Sequence, residues 1–563
     1  MSSKRNSYVL DTSPKPYDQL IVLSQKIINQ GFKNMWKIAQ EDPESYLNHF
    51  HFPLHGEDLE ADVGIPSVQL HVESKEPMLY FRLALTKGTL KVYESMTSED
   101  LLTFDIKDWI LTFNVVVNQK QLSKDSDEYK QFKKRAGLSE SNFSLAQLFV
   151  DASSSTRLNE DLTSLGDITL SDLSADQRGS VVLFITRWIT NMSERGESIL
   201  GFAAQRDDSS GSERSEGTNS NKDGQDANAL SYLLTSDFKA PPAEGAIPYT
   251  GPWVDAESRL GTFCMSRDLL WPWMLPVLKQ VVLAMTPVPD KPYAAWTGTP
   301  EDMPYETGYR YHVGESSPDG ADYQWNVDQV DPARWNITAT RKETSATAYM
   351  PGRPSDNMTA YEAVDYVEAS VVYEIGMERL NVKGSSVFNY HLYHDRTDYD
   401  PTSFTTVDWI NWSITLDMAS IEEGGLIWIS DQNDIYLDVR HNEDGDMKMG
   451  KTAEELASSI AEGLQNSLAL ALERETETLV EALANANRLC LPGAGSFFMK
   501  DPIFNENGDL LVKLEYDGAD PPPPPRKGKY RLPGRGIKAS VGRGDSLPQS
   551  EISRIRKLAQ QKN

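Results

Sequence analysis

Apolar residues recur every fourth position from Leu456 through Ile460, Leu464, Leu468 and Leu472, and again at Leu479, Leu483 and Leu489. That spacing predicts one helix over 452–489. Thr452 and Glu455 form a capping box at its start, and no proline interrupts it. Each four-residue step overshoots the 3.6-residue turn by about 40°, so the stripe winds around the axis and suits a twisted surface better than a straight partner helix. At about 1.5 Å per residue the helix is about 55 Å long, more than a compact domain needs.

Elsewhere the period is two. Val68, Leu70 and Val72 alternate with polar residues, as do Leu79, Phe81, Leu83 and Leu85, then Trp109, Leu111, Phe113, Val115 and Val117. Long, adjacent, alternating strands predict antiparallel pairing. The signal returns at 309–313 and 335–340. Three strong rows follow: Val367, Ala369, Val371, Tyr373 and Ile375; Phe388, Tyr390 and Leu392; Ile410, Trp412, Ile414, Leu416 and Met418. Shorter strands are expected at 426–429 and 435–439. A hairpin is expected from 497–504 and 510–516 around Asn507-Gly508. Helical spacing marks 17–40, a charged stretch at 125–136, and 175–192. The segment 268–285 is apolar but broken by Pro272 and Pro276. Residues 206–228 are nearly devoid of apolar side chains and are expected to be a disordered loop, and the basic residues beyond Pro521–Pro525 a flexible tail. The fold class is thus α+β, with long, strongly twisted antiparallel sheets wrapped around long helices.

Composition sharpens this picture at three points. A chain of 563 residues with 39% hydrophobic content has material for more than one core. The net charge is −28, and with the tail basic the remainder is more acidic still, so no nucleic-acid partner is expected. Cys264 and Cys490 cannot build a disulfide framework, and with neither a signal peptide nor a membrane-spanning run a cytoplasmic location is expected.

Candidate chemistry is sparse. Gly445-Asp446-Met447-Lys448-Met449-Gly450-Lys451-Thr452 satisfies the phosphate-loop pattern and precedes a helix. A nucleotide site would also need a parallel sheet and a strand running into the first glycine, whereas the 435–439 strand stops early and Glu443, Asp444 and Asp446 would repel phosphate. A polar turn into the Thr452 cap is the plainer reading. His49, His51 and His55 lack the Cys or acidic partners at familiar metal spacing, and His391 and His394, three apart on a strand, face opposite sides. No metal or cofactor is expected. No serine or cysteine stands in a nucleophile context, so no catalytic residue is assigned. Trp271 and Trp273 are candidates for peripheral membrane contact, since indole favours the headgroup level.

The N-terminal helix with its long strands, the proline-interrupted segment opening the second half, and the long acidic helix leading into Leu491-Pro492-Gly493-Ala494-Gly495-Ser496-Phe497-Phe498-Met499-Lys500-Asp501-Pro502-Ile503-Phe504-Asn505 together resemble the tubular lipid-binding (TULIP) superfamily. The nearest branch is that of the accessory proteins encoded beside clostridial neurotoxins. The resemblance implies two modules, 1–205 and 241–518, joined by a linker at 206–240 and followed by a tail at 519–563. It also implies non-enzymatic binding of a lipid or another hydrophobic ligand in a seam between helix and curved sheet. Seam candidates are Leu456, Ile460, Leu464, Leu468, Leu472 and Leu479 on the helix, with Phe388, Tyr390, Trp412, Ile414 and Leu416 on the strands. The alternatives are an assembly protein of the same fold with a closed core, using the proline-rich and basic tail for a protein partner, and a nucleotide-binding protein built on 445–452.

Overall fold

Period-two alternation becomes antiparallel sheet throughout, with few helices, in a computed structural model that describes residues 12–541 apart from internal stretches, the longest being 131–142, 235–252 and 517–537. The chain divides into two compact units, one of residues 1–270, 420–426 and 480–526, the other of 271–419, 427–479 and 527–563. Among the described residues no helix is long and apolar enough to cross a membrane.

The first unit holds a ten-stranded and a six-stranded sheet. In the larger, Met78–Tyr93 pairs with Ile110–Leu122, so that Leu79, Phe81 and Leu83 stand opposite Val115, Phe113 and Leu111, all nearly solvent-free. Helix α1, Gln25–Ala39, sets Phe32 edge-on to Phe81, and α2, Ala175–Glu194, adds Trp188 beside Phe50 and Phe81. The helix expected over 17–40 begins later: Gln19–Ser24 is a strand between Ala229–Leu234 and Gly261–Met265. All six of its residues are buried, and a run buried on both faces carries no period to separate strand from helix. Ser24 Oγ then accepts from the Ile27 N–H at 3.3 Å and starts α1. The expected disordered loop also needs correcting, because Arg214–Thr218 within it pairs with Ala229–Leu234 through backbone bonds that need no apolar side chain.

The expected hairpin, Phe497–Phe504 with Leu510–Tyr516, forms the edge of the six-stranded sheet. Its turn is tied by one buried side chain: Asn505 Oδ1 accepts from the Asn507 and Asp509 N–H groups at 3.0 and 2.8 Å, with Gly508 at φ +80°. Asn505 Nδ2 donates to the Thr12 carbonyl, 493 residues away. Asp509 Oδ1 accepts from the Arg267 N–H at 2.7 Å, at the start of α3, Arg267–Met285. That helix is continuous through Pro272 and Pro276, contrary to expectation. Met274, Leu278, Val281, Val282 and Met285 recur at helical spacing and are at most 1% exposed, so packing holds the helix where two backbone bonds are missing.

The second unit holds an eight-stranded sheet ordered 324–331, 334–347, 357–373, 379–396, 399–420, 436–445 and 538–541, with 426–429 beside 399–420. Along that order the neighbours are antiparallel except Lys538–Val541, which runs parallel to Tyr436–Val439 and places one short strand within the expected flexible tail. Ile375, expected on the Val367 face, lies past the strand end at Tyr373 and is half exposed, where Gly376 turns the chain at φ +75°. Helix α4, Ala453–Ala484, begins with the expected capping box, Glu455 N–H to Thr452 Oγ1 at 3.2 Å and Thr452 N–H to Glu455 Oε2 at 3.1 Å. It ends sooner than 489, since Arg488–Cys490 is a strand pairing with Ile199–Arg206 in the first unit's large sheet. Most of the helix expected at 125–136 lies outside the described residues.

Gly384 faces Trp412 across the strands, and a methyl group there would lie 2.1 Å from Trp412 Cζ2. The indole is itself 1% exposed and has nowhere to move. Gly384→Ala is expected to destabilise the second unit by about 1–3 kcal/mol in urea unfolding followed by tryptophan fluorescence. In combination with Trp412→Phe, which removes the clashing ring, the loss should be smaller than the sum of the two single losses.

Candidate functional site

Side chains directly opposite one another in an antiparallel sheet share a face. In the second unit one face therefore carries successive rows. Tyr373, Leu380 and Leu416 are followed by Trp335, Val371, Val382 and Ile414, then by Ile337, Ala369, Gly384, Trp412 and Leu437. After Ala339, Val367, Ser386, Ile410 and Val439 the chemistry changes. The next rows are Asp365, Phe388, Asp408 and His441, then Ala363, Tyr390, Thr406 and Glu443. Trp271 of α3 lies over the apolar end, its ring 4.0 Å from Trp335 and 5.6 Å from Tyr373. A ribbon of Pro287–Pro289 and Tyr311–Val313 reaches the polar end, where Tyr311 meets the Phe388 ring edge-on at 6.2 Å.

All five strand candidates, Phe388, Tyr390, Trp412, Ile414 and Leu416, lie on this face and are at most 2% exposed. Of the helix candidates, Leu456, Ile460, Leu464 and Leu468 are buried in the same unit, at most 7% exposed, while the side chains of Leu472 and Leu479 lie outside the described residues. Trp271, a candidate for membrane contact, is instead a core residue, 3% exposed, because its stack on Trp335 and Tyr373 takes the indole face a headgroup would need. The Trp273 side chain lies outside the described residues.

The polar rows are built around Asp408, which has no exposure. Its Oδ2 accepts from the Tyr311 hydroxyl at 2.8 Å, and its Oδ1 stands 2.5 Å from His441 Nδ1. On the far side of the ring, His441 Nε2 stands 3.2 Å from Glu443 Oε1. Burial alone would lower the imidazole pKa, but the hydrogen bond and charge of Asp408, with the charge of Glu443, outweigh it and hold the pKa above the usual histidine value. Thr406 Oγ1 and Ser386 Oγ are buried without a hydrogen-bond partner among the described residues. None of these polar residues is singled out by motif. Their signal is the period itself: the row running from Met418 down to Ile410 at every second residue continues into Asp408 and Thr406, and Val439 continues into His441 and Glu443.

The other candidate motifs dissolve into surface structure. His49 and His51 pair with Asp62 and Asp58 at 2.8 and 2.7 Å across the 49–54 and 57–63 strands, and His55 takes up φ +53° in their turn. His391 meets Thr405 at 2.9 Å. No group of three His, Cys, Asp or Glu among the described residues is arranged to hold a metal ion. The strand before the phosphate-loop match does run into Gly445, as Tyr436–Gly445, which corrects the expected early stop. It does so antiparallel to Tyr399–Ser420, and residues 446–451 lie outside the described residues.

No protein-family model matches this chain, and no curated protein does. Solved structures similar to it include P47 of Clostridium botulinum E1, at 10% identity and TM-score 0.40, covering 89% of this chain and 99% of that one. P47 from Clostridium botulinum A2 gives 10% identity and TM-score 0.39 over 89% and 98%, and a lipopolysaccharide binding protein gives 9% and 0.34 over 89% and 99%.

Because the folded imidazole pKa is raised, the stability that His441 contributes is fully present below the unfolded value of 6.5 and is lost as pH rises through the higher folded value. Thermal unfolding between about pH 6 and pH 9 should therefore show a falling midpoint for the native chain and a flatter profile for His441→Gln. An equal slope in both would mean that the imidazole is not charged between its two carboxylates.

Proposed function

We propose that this chain is a non-enzymatic carrier of a lipid or another hydrophobic ligand, held against the apolar face of the eight-stranded sheet. One observation carries the reading: the apolar rows are continuous across five strands and lie on a single face. Such a face has to be covered, and among the described residues a helix reaches it through Trp271 and a two-stranded ribbon through Tyr311. An alkyl chain admitted between these separate covering pieces would gain about 0.8 kcal/mol per buried CH₂. The winding stripe of Leu456, Ile460, Leu464 and Leu468 suits the same twisted surface.

A second reading keeps the fold and closes the seam, leaving an assembly protein that works through its acidic surface and tail. The low exposure of all nine described seam residues, 7% at most, favours it. Native mass spectrometry of the purified chain, with organic extraction, separates the two. A carrier should retain phospholipid or fatty acid, and Leu468→Arg should release it while the strand residues stay folded by circular dichroism. A chain of unmodified mass that also takes up no added lipid would leave the closed-seam reading, and complexes recovered only with the residues beyond Pro521 present would then support it.

A further inference from the structure

We propose that the polar end of this face is a head-group site for a long-chain primary amine, an ammonium cation on an apolar tail. The inference rests on the carrier reading and narrows its ligand. One hydroxyl motivates it: Thr406, with no exposure, keeps an oxygen without a hydrogen-bond partner among the described residues. A hydroxyl so buried bears a desolvation cost that a ligand group could relieve. Thr406 stands directly opposite Glu443 and Tyr390, in the row next to the one that holds Asp408.

Charge then chooses the kind of group. The charged residues acting on His441 are Asp408 and Glu443, two carboxylates against one imidazolium, so the cluster keeps an excess of negative charge. A carboxylate or phosphate head would bring another anion into a buried place and be disfavoured. An ammonium group offers three donors and no acceptor. The acceptors open to it are Thr406 Oγ1 and the Glu443 carboxylate directly opposite, since Asp408 already commits both oxygens to Tyr311 and His441. The Phe388 and Tyr390 rings, 6.3 Å apart and 12° from parallel, add π faces that attract a cation. From there Ile410, Trp412 and Leu437 continue the face in the direction a tail would take.

Titration of the full chain with dodecylamine, dodecanol and dodecanoate below their micelle concentrations, read by tryptophan fluorescence in about 0.3 M salt to screen the acidic surface, tests this. The amine should bind at least about tenfold tighter than the carboxylate. Glu443→Gln and Thr406→Val should each weaken the amine by about fivefold or more and leave dodecanol unchanged, the alcohol serving as the check that the face is still formed. Equal binding of all three, or tightest binding of dodecanoate, would overturn the head-group assignment and leave the carrier reading standing. Amine binding that neither substitution alters would be attraction to the acidic surface and overturns the assignment as well. Binding of none of the three would overturn the head-group assignment, and the lipid content found by native mass spectrometry would then decide the carrier reading by itself.

Discussion

Strand register is the constraint on which the second unit depends. The pairing of Arg379–Arg396 with Tyr399–Ser420 extends over most of both strands, and each residue's face follows from it. A slip of one position would turn Phe388, Tyr390, Trp412 and Ile414 outward and bring their neighbours in. Gly384 opposite Trp412 pins that register, because only there does the indole find a partner without a side chain. The extra length of these strands, 18 and 22 residues, multiplies the cost of any misalignment.

Within this frame the Asp408–His441 pair is a local expense. Taking a carboxylate and an imidazolium out of water costs several kcal/mol per ion, and a hydrophobic pair of the same volume would often serve stability as well. The geometry recovers part of that cost: Asp408 meets a donor at each oxygen, and His441 stands between two carboxylates. Tyr311 reaches the pair from a different element, so the cluster also fixes where the 311–313 ribbon lies on the face. Polar networks of this kind can specify one arrangement where an apolar surface would accept several.

Much of this architecture could be read from spacing. The long rows at 367–373 and 410–418, the Thr452 capping box and the Asn507-Gly508 hairpin each rest on a local rule, and local rules survive folding. The strand at Gln19–Ser24 could not be read, because a central strand buried on both faces loses its alternation, and neither could helix α3, whose prolines are outweighed by contacts distant in sequence. The polar rows escaped for a different reason. Asp408 and His441 have little meaning singly; they become a site only through a register that pairs residues 33 positions apart. Trp271 shows the converse, a residue whose chemistry suits a membrane surface until its neighbours are known.

The order in which the chain is made also bears on how it folds. Thr12 is held by Asn505, and the strand beginning at Gln19 reaches the edge hairpin through Gly261–Met265. The first unit therefore cannot be completed until residue 516 has left the ribosome, long after its opening strands have emerged. Gln19–Ser24 meets both of its partner strands by residue 265, but the far edge of Gly261–Met265 stays unpaired until the hairpin is made. Contacts closed over such separations form slowly, so that open edge has to be kept from wrong partners while the strands of the second unit are made.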